Sequence, residues 1–194
     1  MHNKNKIIDR IVSSLQSFSF SGNRSSDTSN IKELIANICR ESEFNVWASD
    51  LKCPNKNNAQ IHTSNHEWLY DMISYQFNQG KNNHYTLTEL YLVMECEWGG
   101  RRYCAEDNGD SYGEVKYDFQ KLLICNSPLK LMVFRKHGNN EKTSKLLEFF
   151  QERINESVYS RPEETFIIAY YYYDRKDKKY NCITTLYNKH GTDI

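Results

Sequence analysis

Two glutamates stand at the end of an apolar run, in the sequence LYLVMECEW of residues 90–98. Because side chains alternate between the two faces of a strand, Glu95 and Glu97 share one face with Tyr91 and Val93. Burying a carboxylate without a partner costs several kcal/mol. The two glutamates therefore predict a nearby cation, which is either a basic side chain or a metal ion.

A third acid lies in the preceding apolar segment, EWLYDMISYQF of residues 67–77. Alternation places Asp71 on the same face as Ile73 and Tyr75, where an acid is out of place. If the two segments pair as antiparallel strands, Asp71 and Glu95 can converge on one site. Ligands that offer only oxygen atoms suit a hard ion such as Mg²⁺ or Mn²⁺.

A predicted helix over residues 114–125 follows these strands and carries a cation. Glu114, Asp118 and Lys121 lie about one turn apart on one face of this helix. Such a row is commonly a stabilising set of surface ion pairs. If the helix end overhangs the strand ends, Lys121 could instead reach a substrate phosphate or a nucleophilic water.

The elements that must position these residues are read from hydrophobic periodicity and turn composition. The Ser-rich segment 17–30 is predicted to be a loop, and the whole chain, 1–194, is predicted to be one α/β domain. Helices are predicted at 6–18, 30–42, 114–125 and 140–158, and strands at 45–50, 67–77, 86–98, 129–134, 165–173 and 180–187.

The composition excludes several classes of protein. Lys plus Arg and Asp plus Glu both count 25, so any nucleic acid must bind a local basic patch on a neutral chain. The six cysteines show no metal-binding spacing and are expected to be reduced. With no signal peptide and no run of roughly 18 apolar residues, we expect a cytoplasmic protein without a membrane partner.

The segments EWLYDMISYQF, LYLVMECEWGG, YDFQKLL and LKLMVF together resemble the PD-(D/E)XK nuclease-like superfamily. The resemblance implies a restriction-endonuclease-like core of the order αβββαβ, with a mixed central sheet flanked by helices. This core would cover approximately residues 30–135. The helix and β-hairpin of residues 140–188 would be additions to it.

The resemblance also implies roles for individual residues. Asp71 and Glu95 fall on the two metal-binding acids of the family, and the backbone carbonyl of Cys96 would complete the ligands of Mg²⁺ or Mn²⁺. Glu97 falls on the lysine position of the motif, where it would bind a second ion or act as general base. In some members the lysine comes from the following helix, which makes Lys121 its substitute and the fourth catalytic candidate.

The supporting glutamate of the family's first helix could be either Glu33 or Glu41. The first functional hypothesis is a magnesium-dependent endonuclease that acts on DNA. Such an enzyme could form a homodimer. The second is a module of the same fold that has lost catalysis and binds protein or nucleic acid. The third is a structural adaptor whose acids are ion-paired with Arg101, Arg102 and Lys121.

One further segment carries residue types that bind nucleic acid. The sequence DRKDKK of residues 174–179 follows a run of tyrosines at 170–173. Cations could grip a phosphate backbone while the rings stack on bases. A charged hairpin tip is more often only a solvated turn.

Overall fold

The computed structural model describes residues 4–49, 69–79, 85–98 and 112–189. Within these ranges the chain forms four helices and six strands. In chain order they are α1 (Lys4–Ser17), α2 (Arg24–Glu41), β1 (Asn45–Ala48), β2 (Met72–Gln79), β3 (Tyr85–Glu97), α3 (Gly113–Ile124), β4 (Leu129–Arg135), α4 (Asn140–Glu156), β5 (Thr165–Asp174) and β6 (Lys179–Tyr187).

All six strands belong to one open sheet, in which their spatial order follows the chain order. β1, β2 and β3 pair antiparallel, β3, β4 and β5 pair parallel, and β6 returns antiparallel to β5. The predicted α/β class with a mixed sheet is therefore confirmed. The elements from α2 to β4 follow the order αβββαβ. The hairpin of β5 and β6 extends the same sheet, and α4 packs in the core with α3.

The sheet lies between two helical layers, and its side chains alternate between them. Leu92 and Met94 of β3 pack in a core with Ile31 and other residues of α1 and α2. Val93, between them in sequence, packs in a second core with Phe119 and other residues of α3 and α4. α1 covers β5 and β6, so the N-terminal helix belongs to the core.

The second helix begins earlier than predicted, because part of the Ser-rich segment 17–30 is helical. α2 starts at Arg24, where the side chain of Asn23 accepts a hydrogen bond from the backbone N–H of Ser26 at 3.2 Å. Asp27 is fully buried and accepts three hydrogen bonds from the turn before the helix. These side-chain contacts with the backbone stabilise a helix start in a polar sequence.

A β-bulge changes the predicted alternation of β3. Consecutive residues of β2 pair with Leu92 and Leu90, which leaves Tyr91 as an extra residue. Its ring stacks on Phe44 at 4.0 Å, in the α1 and α2 core. The prediction that Tyr91 shares a face with Val93 is therefore wrong, whereas the alternation beyond the bulge holds.

The cysteines that the structure describes are free thiols: Cys39, Cys96, Cys125 and Cys182. Cys53 and Cys104 lie outside the described residues. Across the described ranges, every helix is too short or too polar to cross a membrane.

Candidate active site at the ends of β2 and β3

Asp71 lies immediately before β2, beside the far end of β3. Met72 pairs with Met94, so the next residues outward, Asp71 and Glu95, come to neighbouring positions. The Oδ2 atom of Asp71 accepts a hydrogen bond from the backbone N–H of Cys96 at 2.8 Å. The two acids that the sequence singled out therefore lie at neighbouring positions at one end of the sheet.

A buried lysine that the sequence reasoning missed neutralises Asp71. The Nζ atom of Lys32, on α2, lies 2.9 Å from Oδ1 of Asp71 and donates a hydrogen bond to Ser49 Oγ at 2.8 Å. The Lys32 side chain is only 3% exposed. The sequence does indicate where Lys32 lies. It precedes Ala36 by four residues and Cys39 by seven, so the three share one side of the helix. Ala36 and Cys39 are fully buried, which places Lys32 on the core side.

Glu95 is almost completely buried on the side of α3, with 2% of its side chain exposed. Lys121 Nζ lies 2.7 Å from Oε1 of Glu95 and forms an ion pair with it. Burial raises the pKa of Glu95 to about 8, although Lys121 opposes this shift. The negative charges of Asp71 and Asp118 add to the increase. The site therefore holds a carboxyl group whose ionised form is poorly stabilised.

Lys121 joins the row on α3 to the strand end. Its ammonium group also lies 2.9 Å from Oδ1 of Asp118, one turn earlier on the helix. Burial lowers the pKa of Lys121, but Glu95 and Asp118 outweigh this effect and raise it above the usual value. Lys121 thus takes part in the predicted ion-pair row and also reaches the candidate site.

Glu97 and Cys96 occupy the last positions of β3. Glu97 is half-buried and lies opposite Phe134 of β4. Two residues beyond Glu95, it lies on the same face of the strand. Cys96 turns its side chain into the opposite core, while its backbone N–H binds Asp71. The four candidate catalytic residues therefore lie around one end of the sheet.

The donor set suits a divalent ion in type, since carboxylate and carbonyl oxygens are ligands of Mg²⁺. However, the oxygens of Asp71 already contact Lys32 and the N–H of Cys96, and Glu95 contacts Lys121. The nuclease hypothesis expected acids free of protein cations, and this is not what the chain shows. In the described part of the chain, no group of three or more His, Cys, Asp or Glu residues is arranged to hold a metal ion. Metal binding would require the ammonium groups to withdraw.

The remaining predictions concern the supporting glutamate of α2 and two arginines. Glu33 and Glu41, the two alternatives for the supporting glutamate, form ion pairs with Arg40 and Arg10. Lys32, rather than either glutamate, is the residue of α2 that contacts Asp71. The arginines at positions 101 and 102 lie outside the described residues, so their predicted ion pairs stay predictions.

Fold and site together define a class: an α/β protein with a mixed six-stranded sheet and a cluster of acids and lysines at the ends of two strands. Comparison of the chain with protein-family models, with curated proteins and with solved structures finds no match.

Proposed function

We propose that this chain is a divalent-metal-dependent nuclease that cleaves phosphodiester bonds of DNA, built on a restriction-endonuclease-like core. The order αβββαβ from α2 to β4 supports the core, because the resemblance of the sequence implies the same order. The observation that carries the proposal is that Asp71 and Glu95 lie at neighbouring positions at one sheet end, where Lys121 contacts Glu95. Two acids and a lysine are the residue types that the resemblance implies for phosphodiester hydrolysis.

Asp71, Glu95 and the backbone carbonyl of Cys96 would hold Mg²⁺ or Mn²⁺. When bound, the ion supplies an activated water and positive charge for the phosphate oxygens. The buried position of Glu95 supports this role, because its ionised form gains more from a cation than an exposed carboxylate would.

The other two residues act on the water and on the phosphate. Glu97 is half-buried at the strand end, where it can orient a water molecule and accept its proton. Lys121 is 18% exposed, so its ammonium group can turn from Glu95 toward a phosphate oxygen. There it would stabilise the negative charge that develops during the reaction.

The experiment is cleavage of plasmid and single-stranded DNA with Mg²⁺ and with Mn²⁺. Asp71→Asn and Glu95→Gln should each reduce the rate by at least about 100-fold, because each removes a charge that the reaction uses. Glu89→Gln is the matched control, since Glu89 is exposed and lies six residues before Glu95 on the same strand. This variant should cleave normally. Cleavage that survives both site substitutions would contradict the proposal.

A second candidate is a module of the same fold that binds nucleic acid or protein without cleavage. The contacts of Lys32 favour it. A lysine that is 3% exposed and donates to both Asp71 and Ser49 already supplies the positive charge that a metal ion would bring.

Thermal unfolding with Mn²⁺ separates the two candidates, because binding to the folded state raises the melting temperature. The nuclease predicts that Mn²⁺ stabilises the wild type and fails to stabilise Asp71→Asn. The module without catalysis predicts no stabilisation of the wild type. In that case Lys32→Met, which frees Asp71 of its ammonium partner, should be the variant that gains a response to Mn²⁺.

A further inference from the structure

A surface pocket of about 490 Å³ lies where β4 ends and where β5 and β6 form their hairpin. We name it the basic–aromatic pocket. Its lining combines cations and tyrosine rings with one glycine: Arg135, Lys136, Gly138, Tyr172, Tyr173, Arg175 and Tyr180.

The lining carries three positive charges and no carboxylate. Among the residues that the structure describes, no acid lies within ion-pair distance of Arg135, Lys136 or Arg175. The nearby carboxylate of Asp174 instead accepts two backbone hydrogen bonds within the hairpin turn. On a chain whose formal charge is zero, this pocket is a local excess of positive charge.

The rings of the pocket are placed beside its cations. The guanidinium group of Arg135 lies over Tyr180 at 5.6 Å from the ring centre, and the ammonium group of Lys136 lies over Tyr172 at 5.6 Å. Tyr173 packs edge-on against Tyr180 and is 48% exposed. The pocket therefore offers an open aromatic surface next to groups that bind phosphate.

The pocket opens at the same edge of the sheet as the candidate active site. β3, β4 and β5 are parallel, so their C-terminal ends share one edge. The rings of Trp98, Phe20 and Tyr180 continue from the end of β3 to the pocket, with centres 5.0 and 4.7 Å apart. A strand spacing of about 4.8 Å and a rise of about 3.3 Å per residue put Tyr172 roughly 15–20 Å from Glu95.

We propose that the basic–aromatic pocket binds single-stranded nucleic acid, with phosphates on Arg135 and Arg175 and a base stacked on Tyr173. The inference deepens the proposed function by naming the form of nucleic acid recognised, and rests on it only for the claim that the bound strand is a substrate. A separation of roughly 15–20 Å is spanned by about five nucleotides at the rise of one strand in a duplex. Unpaired bases are required because a paired base does not offer its face to a tyrosine ring.

The test is the affinity of a short fluorescent oligothymidylate, measured by anisotropy in EDTA so that nothing is cleaved. Tyr173→Ala should weaken binding roughly 5- to 150-fold, the range of one base–aromatic stack. Arg135→Gln and Arg175→Gln should each weaken binding and reduce the slope of affinity against salt by about 0.7. A hairpin duplex should bind more weakly than the single strand and should be insensitive to Tyr173→Ala.

Arg40→Gln is the matched control, because Arg40 is a half-buried arginine at the opposite end of the sheet, near the start of β1. It should bind as the wild type does. The inference is overturned if the wild type does not bind, if the pocket variants bind normally, or if Arg40→Gln loses as much affinity as Arg135→Gln.

Binding and cleavage fail separately in this design. If the oligonucleotide binds through the pocket and no metal ion produces cleavage, the pocket stands and the nuclease is wrong. If Tyr173→Ala and Arg135→Gln cleave single-stranded DNA at the wild-type rate and with the wild-type KM, the nuclease stands and the pocket inference is wrong.

Discussion

Two lysine–glutamate pairs in this chain have the same length and different surroundings. Lys130 and Glu164 lie 2.7 Å apart, with side chains 0% and 2% exposed. Lys121 and Glu95 also lie 2.7 Å apart, but Lys121 is 18% exposed. The surroundings of the two pairs show which features distinguish an internal ion pair from a candidate site.

The Lys130–Glu164 pair is balanced and enclosed. Oε2 of Glu164 accepts from Nζ of Lys130 and from the backbone N–H of Arg161 at 3.1 Å. Nζ of Lys130 lies 4.7 Å from the centre of the Phe166 ring. Burial lowers the pKa of Lys130, against the effect of Glu164. One cation, at the beginning of β4, and one anion, just before β5, form a pair that is closed to solvent, which indicates a structural role.

The Lys121–Glu95 pair belongs to an unbalanced cluster. Among the residues that the structure describes, Asp71 pairs with Lys32, and both Glu95 and Asp118 pair with Lys121. When all five are ionised, this cluster carries a net negative charge, and burial already opposes the ionisation of Glu95. A buried carboxyl group with a raised pKa beside a partly exposed lysine is a combination typical of functional sites.

The largest effect is expected from breaking the balanced pair. Lys130→Met leaves Glu164 buried without its cation, which should lower the free energy of unfolding by about 3–5 kcal/mol. Urea denaturation measures this loss. The double variant Lys130→Met with Glu164→Leu should recover most of the stability. If Lys130→Met alone is as stable as the wild type, the pair does not have the structural role assigned to it.

Lys121→Met should reverse this pattern and impair function more than stability. Its loss of stability should be smaller than that of Lys130→Met, because Glu95 can take up a proton. DNA cleavage should fall by about 10²- to 10³-fold, the cost of removing one group that stabilises developing charge. The rate of DNA cleavage, divided by the concentration of folded protein, measures this loss of function. A variant that unfolds readily and still cleaves normally would remove the distinction between the two pairs.

The pH dependence of stability should expose Glu95 in metal-free protein. Its pKa is about 8 when folded and near the ordinary value of 4.5 when unfolded, so the folded state binds more protons between these values. The contribution of Glu95 to stability should therefore fall as pH rises through this window, by at most about 1.4 kcal/mol per pH unit. Urea unfolding in EDTA, compared between wild type and Glu95→Gln, measures it. If the free energy of unfolding changes with pH in the same way in both proteins, the pKa of Glu95 is not raised by folding.

The smallest effect is expected at an exposed pair of the same type. Lys145 and Glu141 lie 2.7 Å apart on α4, with side chains 70% and 68% exposed. Solvent screens such a pair, so Lys145→Ala should leave both unfolding and cleavage unchanged within error. A clear loss of either property would show that short ion-pair distance, rather than burial and charge imbalance, decides the outcome in this protein.

Much of the fold was predictable because local patterns agree with it. The apolar spacing of α1 and the aliphatic run of β4 indicate the elements that form, and the fully buried Ile11 and Leu131 lie where these patterns place them. The start of α2 was not predictable from composition, since it depends on Asn23 and Asp27 binding the backbone. Such contacts override weak propensities.

The neighbouring positions of Asp71 and Glu95 were predictable to the same degree. Asp71 and Glu95 are conspicuous because acids interrupt apolar strands, and pairing of these strands is a local property. Lys32 could not be assigned to Asp71 in the same way, because that contact joins residues 39 positions apart and depends on how α2 packs. The bulge at Tyr91 was missed for a similar reason, since alternation assumes an uninterrupted register.

The strand order of this sheet has a consequence for folding during synthesis. Each strand pairs with the one made just before it, so the sheet can grow as the ribosome releases the chain. α1 is the exception, because Leu15 accepts from Tyr171 on β5 and Gln16 donates to Thr184 on β6. α1 can therefore complete its packing only after β5 and β6 have been made.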